Sequence, residues 1–175
     1  MKRRGRRSLV VDTNVMVVAN RLNNEPYACS SNCAQALLSI KHLGVIVIDD
    51  GDSILTEYRR NCSIAGQPGV GDSFIRWVHD NRGRSDLVRT VALTVKKDPP
   101  HDFEQFPVHA DLVALDPSDR KFVSVANAHA DKPPILQATD SKWWGWKEAL
   151  AACGITVEFL CPKEIQETYE RKMLR

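Results

Sequence analysis

The chain lacks any apolar segment near the ~20 residues needed to cross a bilayer, so no membrane span is expected. It has no Cys-x-x-Cys pair, and its five cysteines are an odd number. Cys29 and Cys33 could share a helix face, but no second ligand pair accompanies them, which argues against structural zinc. Reduced thiols in a cytoplasmic protein are the expectation. No His-Glu-x-x-His spacing occurs, which argues against catalytic zinc. A large charge imbalance is also missing. The formal net charge is +2, too small to announce a nucleic-acid binder by composition. There is no internal repeat and no low-complexity segment.

What is present suits one globular domain. The 175 residues are long enough for a real core, and 43% are hydrophobic and 26% charged. Lys2, Arg3, Arg4, Arg6 and Arg7 make a basic start, and Arg171, Lys172 and Arg175 a basic end. We read residues 1–7 as a solvated tail and 8–175 as the domain. A basic start before LVVDTNVMVVAN superficially suggests a secretory leader, but Asp12, Asn14 and Asn20 interrupt the apolar stretch.

Strands and helices alternate. Leu9, Val10 and Val11 read as a buried strand that stops on Asp12, a residue strands avoid. Ser30 or Ser31 caps a helix carrying Cys33, Leu37, Leu38 and Ile40, which Gly44 ends. Val45–Ile48 is a β-branched run of the kind buried on both faces of a parallel sheet. Asp52 caps the next helix, and another runs from Asp72 through Val78. Residues 82–108 look irregular, although LVRTVALTV could be an extra strand. Asp116 is read as a helix cap, with Pro117 first in the helix and Asp119 in its first turn. A strand over Ile135–Thr139 ends at Asp140. A short helix over Lys147–Cys153, a strand over Ile155–Leu160 and a helix over Lys163–Leu174 complete the chain. The expected fold is a three-layer α/β/α sandwich with a mainly parallel sheet.

AGQPGVGDS at residues 65–73 imitates a phosphate-binding loop. Asp72 stands where its lysine should be and would repel phosphates, and no buried strand feeds the loop. A helix cap explains Asp72 better.

The acids are more informative. Parallel sheets build sites beyond the carboxyl ends of their strands. Asp12, Glu57, the Asp116 and Asp119 pair, and Asp140 come from four chain segments that can reach one such edge. Each alone is an ordinary cap or surface acid. Together they are costly, because two like charges ~4 Å apart repel by roughly 4 kcal/mol at an effective dielectric of 20. A divalent cation with oxygen ligands, Mg²⁺ or Mn²⁺, removes that repulsion.

VVDTN at 10–14, Glu57 in DSILTEYRRN, DPSDRKFVSVANA at 116–128, LQATD at 136–140 and the following ITVEFLCP together resemble the PIN-domain nucleases. That resemblance implies a PIN-like sandwich whose acidic pocket holds one or two Mg²⁺ or Mn²⁺ ions. By it Asp12, Glu57, Asp119 and Asp140 match the acidic, catalytic positions, with Asp116 as a further metal candidate. Asn14 and Thr139 become supporting hydrogen-bond partners. The implied activity is metal-dependent hydrolysis of RNA phosphodiester bonds, as by the toxin of a toxin–antitoxin pair.

RNA phosphates would be gripped from the rim, where Arg59, Arg60, Lys121 and Lys142 are candidates. Trp143, Trp144 and Trp146 could stack an unpaired base, but packing is the better reading for at least two of them. A homodimer and a protein inhibitor (an antitoxin) are candidate partners. The alternative enzyme is an aspartate-nucleophile phosphatase acting on a small phosphomonoester. It needs an acid two residues after Asp12, where this chain has Asn14. A non-catalytic RNA-binding module is a third reading, disfavoured because clustered carboxylates repel a polyanion.

Overall fold

Five parallel strands form a single sheet in the order β3-β2-β1-β4-β5: β1 (Arg7–Val11), β2 (Gly44–Asp49), β3 (Val88–Val91), β4 (Ile135–Gln137) and β5 (Val157–Phe159). The computed structural model describes residues 5–21, 24–99 and 102–174. Lys2, Arg3, Arg4 and Arg175 of the expected basic ends lie outside the described residues. Arg7 belongs to β1, not to a tail.

Seven helices among the described residues complete a three-layer α/β/α sandwich: α1 (Thr13–Ala19), α2 (Tyr27–Leu43), α3 (Ser53–Asn61), α4 (Val70–Asp80), α5 (Arg120–Ala128), α6 (Lys142–Ala152) and α7 (Pro162–Met173). None of them is long and apolar enough to cross a membrane. Every residue of β2 is buried, as a β-branched run sealed on both faces requires. α1, α2 and α4 pack on one another, while α5 lies against β1, β2 and β4. The connection from β1 runs to β2 and then β3 on one side; β4 and β5 are added on the other. The strand order therefore reverses at β1, and a crevice opens beyond the ends of β1 and β4.

Several element ends differ from the sequence reading. VMVVA is the body of α1, because the Asp12 carboxylate accepts from Asn14 N at 2.8 Å and starts a helix directly after β1. α2 begins at Tyr27, so neither Ser30 nor Ser31 caps it. Asp52 occupies the N-cap position of α3, as expected, but its side chain makes no capping bond. Asp49, buried at the end of β2, accepts from Ser53 N at 2.7 Å and Ile54 N at 2.8 Å, and Asp52 pairs with Arg82 instead. Asp119, not Asp116, occupies the cap position of α5. Asp116 folds back on Ser118, accepting from its N at 3.0 Å and its Oγ at 2.8 Å. α6 starts at Lys142 and absorbs the tryptophans: Trp143 is fully buried, Trp146 meets it edge-on, and Trp144 packs on Phe159.

The middle region is more ordered than its composition suggests. VRTV pairs with β2 as β3, and an antiparallel bridge joins Val95 to Phe103. Lys96 N donates to Asp102 O at 2.8 Å and Glu104 N to Thr94 O at 3.0 Å. Asp102 is buried and ion-paired with Arg120 at 3.2 Å, which fastens this segment to the start of α5.

A disulfide joins Cys29 of α2 to Cys161 at the start of α7, so the expectation of five reduced thiols is corrected; Cys33, Cys62 and Cys153 are free. The two elements are brought together only by tertiary packing, which cysteine spacing cannot reveal.

Candidate functional site

β1 ends on Val11, and the next residue, Asp12, is carried into the crevice, where the residue is only 5% exposed. Burial is the main reason its pKa stands well above the usual carboxylate range. Asp119, Glu57 and Asp140 push it further, and only the Asn14 amide opposes them. Asp119 is raised to about 7, first by burial and then by Asp140, Asp116 and Glu57, with Lys121 opposing. Asp12 and Asp119 thus both feel the charge of Glu57 and Asp140. The structure brings Asp12, Glu57, Asp119 and Asp140 into one electrostatic neighbourhood.

The supports are local. Asn14 Oδ1 accepts from Thr139 N at 2.7 Å and from Thr139 Oγ1 at 3.3 Å, which ties the segments after β1 and β4 together. That bond sets Asp140 beside Asp12. The Tyr58 hydroxyl, fully buried, donates to Val11 O and holds α3 against the end of β1. Thr13 Oγ1 donates to Glu57 Oε1 at 2.6 Å. Glu57 Oε2 is paired with the Lys121 ammonium, which also donates to Ser118 O. Glu57 is accordingly fixed through both oxygens.

Comparison of the chain with family models, curated proteins and solved structures gave no match.

Asp116 helps to raise Asp119 but differs from the other acids in its own pairing. Lys142 Nζ lies 3.0 Å from its Oδ2, and with the Ser118 bonds this holds its carboxyl down at about 2. It is already neutralised within the chain. Lys121, expected on the rim, is buried (8% exposed) and committed to Glu57, and Lys142 is committed to Asp116. Arg59 and Arg60 are exposed on α3, and Arg60 lines a cleft that also reaches Glu57. Thr13, Tyr58 and the structural role of Lys121 were not found from sequence. Thr13 adjoins Asp12 and Tyr58 adjoins Glu57, but a hydroxyl beside an acid is too common to signal anything.

The donor set of the cluster is all oxygen, which suits a hard dication. Among the described residues, the three-residue group whose ligand atoms lie within 4.8 Å of one another is Cys29, Cys33 and Cys161, not a set of acids. The carboxylates are spaced more openly than a closed protein cage. Mg²⁺ tolerates that, because it keeps several waters and takes only one or two carboxylates directly. Asp12 and Asp119, both held above the ordinary carboxylate range by burial and by neighbouring acids, are the feature a dication would relieve.

Proposed function

We propose that the chain is a metal-dependent endoribonuclease resembling the PIN-domain nucleases, hydrolysing RNA phosphodiester bonds with Mg²⁺ or Mn²⁺. The observation that carries this reading is that Asp12 and Asp119 are both raised, first by burial and then by neighbouring carboxylates, at the point where the strand order reverses. Asp12, Asp119 and Asp140 would hold the cation. When bound, such a cation lowers the pKa of a coordinated water and neutralises phosphoryl oxygens.

The chain's own residues supply position and charge. Asn14 and Thr139 fix the spacing of Asp12 and Asp140. Glu57, clamped by Thr13 and Lys121, presents a fixed carboxylate at the edge of the crevice. Arg60, with Arg59 beside it, offers cations for the RNA backbone on the α3 side. Within this class we favour a toxin acting on RNA in the cytoplasm, restrained by a protein inhibitor. The buried Cys29–Cys161 bond is shielded from solvent reductants there. The phosphatase alternative draws no support, since Asn14 is committed to Thr139.

The test incubates purified protein with labelled single-stranded RNA, with Mn²⁺ or with EDTA, beside Asp12→Asn. Cleavage that needs Mn²⁺ and falls at least about 100-fold in the variant is expected, the loss typical of a directly acting group. Equal cleavage in EDTA, or full activity in Asp12→Asn, would refute the mechanism.

A further inference from the structure

The cleft beside Glu57 is not explained by metal chemistry. It has a volume of about 550 Å³. α3 lines it with Thr56, Glu57 and Arg60, the bridged segment of the middle region with Val95 and Phe103, and the start of α5 with Lys121. Val95 keeps 60% of its surface exposed although its neighbours in the bridge are paired, so an apolar side chain is held open on the cleft. The wall is built before any ligand arrives. The backbone bonds of Lys96 and Glu104 and the buried Asp102–Arg120 pair fix it, and Arg120 is itself stacked 4.8 Å over the Phe106 ring.

An occupant of this cleft must be flat or compact, partly apolar, and linked to an anion. Exposed apolar surface comes from Val95, with the mostly buried Phe103 also in the wall, and positive charge from Arg60, an arrangement that complements a base attached to a phosphodiester. The volume is of the size that takes one small-molecule-sized group. A base inside a duplex cannot enter it, because its faces are stacked and its pairing edge is occupied.

From this we propose that the cleft seats one unpaired nucleobase of a single-stranded RNA, and that the Thr94–Lys96 and Asp102–Glu104 segments set the preference for unpaired substrate. The inference rests on the ribonuclease reading for its choice of ligand, but its test does not use cleavage.

Binding is measured by fluorescence anisotropy on the full chain in EDTA. Three labelled probes are compared: a single-stranded RNA, the same strand annealed to its complement, and an abasic ribose-phosphate strand of equal length. The single strand should bind about tenfold more tightly than either of the others, as expected for one seated base. Val95→Ser, at an exposed position, should remove most of that advantage and leave abasic binding unchanged, whereas Arg60→Ala should weaken all three. Equal affinity for the abasic and base-bearing strands, or an equal loss on both in Val95→Ser, would overturn the proposal. If RNA stays intact with Mn²⁺ while base-dependent binding persists, the hydrolysis reading fails and this one stands. Cleavage without base dependence gives the reverse.

Discussion

Asp119 holds its proton up to about pH 7 in the folded chain, against an ordinary value of 3.8. Between those two values the folded chain binds more protons than the unfolded one. Stability contributed by this group is therefore present below pH 3.8, falls as pH rises toward 7, and changes no further above it. Asp119→Asn removes a charge that folding resists while keeping a side chain suited to the cap position. Without metal, the variant should be more stable than the parent at pH 8 by on the order of 1–3 kcal/mol, with the gap closing toward pH 4. Urea unfolding in EDTA at several pH values reads this directly. Mn²⁺ should raise the parent's unfolding midpoint at pH 8 and raise the variant's much less, since only a ligand that binds the folded state stabilises it. A variant no more stable than the parent at pH 8 would mean the carboxylate is not under electrostatic strain. The positions of Asp12 and Asp140 were legible because each follows a strand whose apolar run is plain in the sequence. The clamp on Glu57 was not. It depends on α3 and α5 lying side by side, which no local pattern of residues encodes.

Elements made of the right residues can still be misjudged at their ends. Val15, Val17 and Val18 are poor helix formers, yet they lie in α1, because Asp12 caps it and the helix buries Val15, Met16 and Val18 completely. Burial overrode propensity there. β2 was readable throughout, since an unbroken β-branched run has one comfortable place in a parallel sheet. The apparent phosphate loop has its own explanation. Asp72 is buried and accepts from Gly69 N at 2.9 Å, Ser63 N at 2.7 Å and Asn20 Nδ2 at 3.0 Å, fastening α4 to the end of α1. Gly71 sits directly against the Met16 backbone of α1. A Cβ there would meet the Met16 carbonyl, with Met16 C and Asn20 Oδ1 each 2.9 Å away. Gly71→Ala should therefore destabilise the fold by on the order of 1–3 kcal/mol, despite a helix-propensity gain of about 1 kcal/mol. Gly83→Ala is the control, because nothing lies within 4 Å of its added methyl. It should change the urea midpoint negligibly. Equal behaviour of the two variants would show that α1 and α4 can move apart at little cost.

At the scale of the whole molecule, the parallel sheet was legible from strands alternating with helices, but the meeting of distant segments was not. Cys29 and Cys161 are separated by 132 residues, and nothing in their spacing pairs them. They meet because α7 begins against α2 once β5 has taken the sheet edge, where Asn32 Nδ2 donates to Leu160 O at 3.1 Å. The resulting link joins the early helical layer to the last helix. Thiol titration of denatured protein should count three thiols without reductant, the free Cys33, Cys62 and Cys153, and five after reduction. Under native conditions Cys153 should be alkylated first, as the only partly exposed member of the free set. Burial pushes the thiols of Cys33 and Cys62 up to about 12, with help from Glu25 and Asp72 respectively. So large a loop makes the bond's entropic effect on the unfolded chain substantial. The reduced protein should lose about 2–4 kcal/mol of stability to urea. Cys161→Ser should lose a similar amount, and reductant should then have no further effect on it. Five thiols before reduction would place α2 and α7 together by packing alone, and the stability of the two forms would then coincide.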